Sequence, residues 1–350
     1  MRDADFQDKQ RTPNGIKYTT KMDKLVTIAI PIYKRLEHLS HVLGIVEAQD
    51  YAEIELLVSD NGMNGDRVHD LVRKHYSRPF VFRQNPRTVP MGNHFTQLVE
   101  AANGEYFVPL CDDDEISPNY VTEMVNSLER HPEAAVAISR QEMTDLDRSV
   151  LRSSKEEMPP VLSFEDFIDS MWRRYQFGLE GLVTMMARTA RLRECGGYPD
   201  FCWGTNMDNA ALLRMIVGSS VALNTRCVFR WRQDDASYGW SVTTAELARG
   251  MKEFINFLST DPVIGRYRAA EPVRWRKCEE ILLRMTWETY LLRWDTIYRK
   301  RLGTFDWLMA AFRMPLFPAY YKRVAKILIR DFKAKMAPRE FPQDPQGVAE

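Results

Sequence analysis

Three consecutive aspartates, Asp112-Asp113-Asp114, follow directly on the apolar run Tyr106-Phe107-Val108-Pro109-Leu110-Cys111. Adjacent carboxylates repel one another and are costly to desolvate, so a fold rarely sets three of them beside its core without a counter-charge. A hard divalent cation bound through oxygen supplies one, and a diphosphate can complete the ion's shell. One or two of the carboxylates would hold the ion, which stabilises the charge developing on a departing diphosphate. The same run also fits an acidic helix N-terminus satisfied by the helix dipole. Its place after a strand, with Ser117-Pro118 behind it, favours an enzyme that handles a nucleotide diphosphate.

Other residues could share that chemistry. Asp60-Asn61-Gly62 ends a second apolar run. Asp60 there could accept a hydrogen bond from a base or ribose, or simply shape a turn. An EF-hand loop fails, because its third and twelfth positions would be Gly62 and Leu71. Asp208, in Trp203-Gly204-Thr205-Asn206-Met207-Asp208, could deprotonate a hydroxyl or stand in the first turn of the following helix. The preceding loop holds Gly196, Gly197, Tyr198, Trp203 and Gly204, and its flat aromatic faces suit a sugar ring as well as ordinary packing. Arg230-Trp231-Arg232, with Gln233, Ser237, Trp240 and Ser241, offers planar donor forks for phosphate or a solvated strand end. No histidine follows His131, which excludes a histidine ligand or a Ser-His-Asp arrangement in the second half. Neither a P-loop nor a well-placed G-x-G-x-x-G occurs.

These residues need a scaffold that brings strand ends together. Leu25–Ile30, Ile54–Val58, Phe80–Phe82 and Glu105–Cys111 read as strands; Leu36–Gln49, Val68–His75, Asn93–Ala102 and a segment from Ser117-Pro118 to Glu129 read as helices. Asn103-Gly104 reads as a C-cap and Ser117 as an N-cap. The alternation predicts an α/β fold, a mostly parallel sheet flanked by helices, whose ligands lie at the carboxyl ends of the strands. Past Pro160 a helix is expected over Phe164–Tyr175, strands over Gly181–Met186 and Val221–Trp231, and a helix over Asp208–Ile216. From Thr243 nearly everything reads as helix: Thr243–Leu258, Glu271–Arg301, Phe305–Phe312 and Ala319–Met336. The predicted division is a polar tail over 1–24, the α/β domain over 25–241, and a helical C-terminal region over 242–350.

The 350 residues include 48 basic and 48 acidic side chains. Such a balance points away from nucleic acid as a partner. The five cysteines show no paired spacing, as expected of reduced cytosolic thiols. No apolar h-region follows Met1 and no apolar run approaches the ~18 residues of a span, so a cytoplasmic protein is expected. The last helix carries Lys322, Arg323, Lys326, Arg330, Lys333 and Lys335 against Asp331, with an apolar stripe of Val324, Ile327, Leu328, Ile329 and Phe332. That composition fits peripheral contact with an anionic inner membrane surface or a basic helix docked on the protein.

Five blocks, in order, resemble family 2 glycosyltransferases of the GT-A fold. Thr27-Ile28-Ala29-Ile30-Pro31-Ile32-Tyr33-Lys34-Arg35 is similar to their opening strand and P-x-Y-x-R turn, and Val58-Ser59-Asp60-Asn61-Gly62 to their second strand. Gly104-Glu105-Tyr106 and then Asp112-Asp113-Asp114 look like the G-E-Y and D-x-D blocks; Gly196-Gly197-Tyr198 and Asp208 look like the acceptor-side block. The resemblance covers about Leu25 to Ser241. It implies inverting, non-processive transfer from a nucleotide-diphosphate sugar to a glycan, lipid-linked or natural-product acceptor, in surface polysaccharide synthesis. Pro31, Tyr33, Arg35 and Asp60 would hold the nucleoside. Asn93 (Gly92-Asn93 resembles the "G-N" of the abequosyltransferase-like branch), Asp112, Asp113, Arg230 and Arg232 would complete the donor site. Asp112 and Asp114 would hold Mg²⁺ or Mn²⁺, Asp208 would be the base, and Gly197, Tyr198, Trp203 and Trp240 would line the acceptor side. Two departures stand out: Met207 replaces the first acid of the usual E-D pair, and Cys111 can be registered as the first place of D-x-D-D. The rivals are a nucleotidyltransferase-like enzyme, which should carry a Gly-rich loop where Pro31–Arg35 has no glycine, and an inactive nucleotide-sugar-binding module.

Overall fold

The computed structural model describes residues 24–173, 178–179, 185–233, 241–315 and 317–336. Ser237, Trp240, nearly all of the expected N-terminal tail and most of the expected strand Gly181–Met186 lie outside these residues. The chain runs β1 (Val26–Ile32), α1 (Leu39–Glu47), β2 (Ile54–Asp60), α2 (Arg67–His75), β3 (Phe80–Gln84), α3 (Met91–Ala101), β4 (Tyr106–Pro109), β5 (Glu115–Ile116) and α4 (Tyr120–Arg130). There follow β6 (Ala134–Thr144), β7 (Val150–Ser153), β8 (Val161–Ser163), α5 (Phe164–Ile168), β9 (Met185–Arg188), α6 (Thr189–Glu194), α7 (Met207–Ile216) and β10 (Ser220–Arg232). The strands form one sheet in the order β3-β2-β1-β4-β9-β6-β10-β5, with β7 on β6 and β8 on β10. The β3, β2, β1 and β4 ladder is parallel, while β9 runs antiparallel between β4 and β6.

β1 shows why this arrangement forms. Its β-branched run is buried on both faces, as a central parallel strand requires. Ile28 and Ile30 join the layer with α1 and α4, and Ala29 joins the opposite layer with α3. The β1–β4 ladder ends at the pair Ala29–Pro109, and Pro31 lies just past it. Proline cannot donate to a ladder, so β1 and β4 part here while β1 stays paired with β2 as far as Ile32–Asp60, and the chain opens into the loops that carry Tyr33, Arg35 and Asp112–Asp114.

Some local expectations fail for clear reasons. α3 ends in extended backbone at Ala102, so Asn103-Gly104 is not its C-cap. Gly104 is required instead by a close approach, since a Cβ there would stand 2.5 Å from the Thr27 nitrogen. Asn119, not Ser117, precedes α4 as its N-cap residue. The Ser117 hydroxyl turns to Asn119 and accepts from the Val228 amide. β6 carried no expectation; its alanine-rich start (Ala134, Ala135, Ala137) has weak strand propensity, and burial between neighbours decides the outcome.

The C-terminal region comprises α8 (Thr244–Thr260), α9 (Pro262–Ala270), α10 (Pro272–Arg293), which continues through a π-helical turn (Trp294–Tyr298) into α11 (Arg299–Arg301), then α12 (Thr304–Ala311) and α13 (Pro318–Met336). A capping box of Thr243 and Glu246 starts α8. Asp261 caps α9 and pairs with Arg214 at 2.7 Å. Phe254, Phe257, Trp275, Leu282 and Met285 join the same core as Ala29, Leu57 and Phe107. The helices down to Met285 therefore pack as part of the α/β body, although the chain turns wholly helical near residue 242. A separate core forms around Trp294 and Trp307, stacked at 4.3 Å, with each indole N–H donating to the other's carbonyl.

α8 reaches the loop before α7 with no space between. A Cβ on Gly250 would stand 2.5 Å from Thr205 Cβ and 2.8 Å from the Cys202 carbonyl. Gly250→Ala is therefore expected to lower stability by about 1–3 kcal/mol through overpacking, read as a fall in the urea midpoint. An unchanged midpoint would show that the helix and loop separate freely.

Candidate functional site

Four loops meet beyond the carboxyl ends of β1, β2 and β4. The loop after β2 is built around Asp60, which is fully buried. Its carboxylate accepts from the Gly62 amide at 2.7 Å, the Asn64 amide and side chain at 2.8 Å, and Gln84 Nε2 at 3.0 Å. Asp60 thus spends four acceptor positions inside the protein and shapes the loop around it. Gly62 is forced by the neighbouring loop, because a Cβ there would overlap the Tyr33 carbonyl. Asn64 also donates to that carbonyl at 2.5 Å. Asn64 and Gln84 went unnoticed in the sequence; a second Asn-Gly two residues after Asn61-Gly62 is the only signal they left. Pro31 is partly buried, Tyr33 is exposed, and Asn93 is exposed in the first turn of α3.

The acidic run lies opposite Arg35, whose guanidinium stands 2.6 Å from Asp113 and 3.9 Å from Asp112. Burial, then the charge of Asp113, pushes Asp112 up to about 6. Asp114 is buried, and desolvation followed by repulsion from Asp113 and Asp112 raises it well above the usual carboxylate range. Arg232 acts on Asp114 and, with Arg35, holds His38 below its ordinary value after burial has done most of that. Among the described residues the Nε and Nη2 of Arg232 are buried without a hydrogen-bond partner. Arg230 differs, since its Nε meets Glu142 at 2.7 Å. His38 is a neighbour that sequence reasoning missed; it stands three residues after Arg35.

A divalent ion fits this chemistry. The donors are hard carboxylate oxygens, and burial followed by repulsion from neighbouring acids raises the pKa of both Asp112 and Asp114. Among the described residues no three His, Cys, Asp or Glu side chains converge on one point. An ion held by Asp112 and Asp114 would therefore need a ligand to supply the rest of its shell.

Of the residues expected on the acceptor side, Gly197, Tyr198 and Trp203 are described and lie on the segment between α6 and α7. Gly196 and Gly197 take φ of 82° and 67°, and a Cβ on Gly197 would collide with Thr96. The Tyr198 amide and carbonyl are both bonded to that Thr96 hydroxyl. The Tyr198 phenol is buried with no partner for its hydroxyl among the described residues, and burial, then Asp208 and Cys111, pushes it up. Asp208, in the first turn of α7, and the end of β4 thus flank one tyrosine. Before α7 the left-handed residues Trp203 (φ 55°), Gly204 (φ 65°) and Asn206 (φ 62°) make a tight path; such geometry in non-glycine residues is costly and clusters at functional sites. α8 holds the path, through Glu253 on the Cys202 amide at 2.5 Å and Glu246 on the Trp203 side chain.

Residues 27–188 match the family described as Glycosyl transferase family 2. Over 142 residues the chain is 25% identical to abequosyltransferase RfbV of Salmonella typhimurium, a stretch covering 38% of this chain and 43% of that protein. The chain thus spans less than half the length of that relative. The fold resembles residues 1–349 of S. aureus TarS in complex with UDP-GlcNAc, with a TM-score of 0.62 at 14% identity over 83% of this chain and 82% of that one. The same fragment in complex with UDP gives 0.60 at 13% identity over 83% and 78%. At these identities the likeness is one of fold, and the fold is of the GT-A type.

One buried group near the donor-side loop reports on folding. His94 of α3 contacts the Ser59 hydroxyl at 2.9 Å and is 4% exposed; burial lowers its pKa to about 4. The folded state keeps His94 neutral where the unfolded chain protonates it near 6.5. Stability is then full above pH ~6.5 and falls by up to about 3 kcal/mol as pH drops toward 4. Denaturant melts at several pH values should show this slope reduced in His94→Gln, measured against wild type so that the opposite trend of Asp112 and Asp114 cancels. Parallel profiles would contradict a neutral buried His94.

Proposed function

We propose, from a chain that carries a family 2 glycosyltransferase domain, that this protein transfers one sugar, with inversion, from a nucleotide-diphosphate sugar to a hydroxyl of a glycan or lipid-linked acceptor. Hexosyl and deoxyhexosyl donors both suit the reading, and surface polysaccharide synthesis on the cytoplasmic side of the membrane is the setting it favours. The observation that carries it is the charge pattern at the strand ends. Asp112 and Asp114 both have raised pKa; Arg35 stands 3.9 Å from Asp112, and Arg232, whose buried Nε and Nη2 lack a hydrogen-bond partner among the described residues, acts on Asp114. Burying guanidinium nitrogens without hydrogen bonds is costly, and a diphosphate arriving with a divalent cation would relieve both imbalances, the cation at the carboxylates and the diphosphate at the guanidinium.

The residues divide the work as follows. The loops of Pro31, Tyr33, Arg35 and Asp60 form the nucleoside side, with Asp60 fixing their shape from beneath. Arg232 and Arg35 bring positive charge to the diphosphate. Mg²⁺ or Mn²⁺, held by Asp112 and Asp114, would neutralise charge on the leaving diphosphate. Asp208 takes the proton of the acceptor hydroxyl as its oxygen forms a bond to the anomeric carbon from the face opposite the breaking C–O bond. The nucleoside diphosphate leaves with that bond's electron pair. Tyr198, Gly197 and Trp203 shape the acceptor side, where an aromatic face suits a sugar. S. aureus TarS is seen with UDP and UDP-GlcNAc, so uridine donors are the first to try.

Two variants test the assignment. Asp208→Asn should lower turnover by about 10²–10⁴ and leave donor affinity within a few-fold of wild type, as read by calorimetry. Arg232→Met should weaken nucleoside diphosphate binding at least tenfold, with thermal melts verifying that the variant is folded. Full turnover in Asp208→Asn would remove it as the base. Unchanged donor affinity in Arg232→Met would remove the charge argument.

A further inference from the structure

Between Arg299 and Met336 the sequence places ten Lys and Arg against two Asp, in a chain whose totals are 48 and 48. Among the described residues no helix is long and apolar enough to cross a membrane. The basic helix α13 is also not a free amphipathic helix. Tyr320 and Val324 are buried, and Ile327 and Leu328 pack against the core around Trp294 and Trp307. The apolar stripe read from the sequence therefore faces largely inward; Ile329 and Phe332, at 55% and 66% exposure, stay outside. Arg299 and Arg330 grip Asp331, and Arg330 reaches Asp295 at 3.2 Å. This fixes α13 and neutralises one of the two acids of the region.

A second apolar stripe points outward from α12. Trp307, Ala310 and Ala311 are buried, whereas Phe305, Met309 and Phe312 are 73%, 48% and 62% exposed. Their spacing of i, i+4 and i+7 puts them on one side of the helix. Phe312 stacks on Tyr321 at 6.1 Å, so the stripe adjoins the start of α13. There Lys322, Arg323 and Lys326 are exposed, as is Lys333 further on. Large exposed apolar side chains clustered beside flexible cations mark an interaction surface, and one patch then carries two signals, an apolar insert and a polybasic rim.

We propose that α12 and α13 dock this chain on the surface of an anionic phospholipid bilayer. Phe305, Met309 and Phe312 enter the boundary between headgroups and acyl chains, and Lys322, Lys326 and Lys333 meet lipid phosphates. Charge complementarity selects this occupant, because each Lys or Arg near an anionic leaflet adds to the attraction and apolar insertion makes it persist. The docking does not depend on the transfer reaction and would hold for a chain with another activity.

The test is co-sedimentation of the full chain with vesicles of phosphatidylcholine alone and of phosphatidylcholine with phosphatidylglycerol. Binding is expected to the anionic vesicles only and to weaken with salt. Lys322→Glu with Lys326→Glu should lower the partition coefficient by about tenfold or more. Phe305→Ser with Phe312→Ser should lower it similarly. Both pairs sit on the surface, and unchanged thermal melts verify folding. Failure of the wild type to sediment with anionic vesicles would overturn the proposal, as would binding that ignores both variant pairs. A dimer that dissociates in the Phe305→Ser, Phe312→Ser protein would also overturn it and assign the stripe to a self-interface.

Discussion

Three carboxylates in sequence at the end of a buried strand cannot all be ionised unless positive charge surrounds them. The structure answers this only in part. Arg35 neutralises Asp113 at 2.6 Å, while Asp112 and Asp114 keep raised pKa values under burial and mutual repulsion. Arg232 lends charge to Asp114 without a hydrogen-bond partner for its own Nε and Nη2 among the described residues. Such a cluster is destabilising for the free protein and attractive to a ligand that brings cation and anion together. Storing unfavourable electrostatics at a site is a recurrent cost of function.

The rest of the fold can be understood as what keeps that cluster in place. Pro109 ends the ladder between β4 and β1, with Pro31 just past it, so the loops leave the sheet side by side. Glycines stand where two backbones approach too closely for any side chain. Gly62 lies against the Tyr33 carbonyl and Gly104 against Thr27; Gly92 lies against Pro199 and Gly250 against Thr205. Gly92 and Gly250 tie the loop before α7 to α3 and to α8. The helical region thus packs on the loop before α7 as well as on the body of the sheet.

Much of this was legible in the sequence because the parallel half of the sheet is regular. Its strands are β-branched runs with turn residues at their ends, and the acids sit where those runs stop. The second half was harder to read. β6 begins with alanines, whose strand placement comes from burial and not from propensity. For Asp60 the sequence leaves a ligand contact and a turn both open; in the fold its oxygens accept from Gly62, Asn64 and Gln84. Nothing local predicts that, since Gln84 is 24 residues away. Arg230 and Arg232 look alike in sequence; only the fold gives one Glu142 and leaves two nitrogens of the other without a hydrogen-bond partner among the described residues. The apolar positions of α13 were read with the correct period, but their direction depended on a core built from α10 and α12.

The most direct measurement is calorimetric titration of nucleoside diphosphates into the purified chain with Mn²⁺ and with chelator. It should be repeated on a chain in which Asp112 and Asp114 are both replaced by Asn. The account predicts that one nucleotide binds at least tenfold more tightly with Mn²⁺, and that the doubly substituted chain loses this gain. Equal affinity in chelator, in Mn²⁺ and in the substituted chain would contradict it.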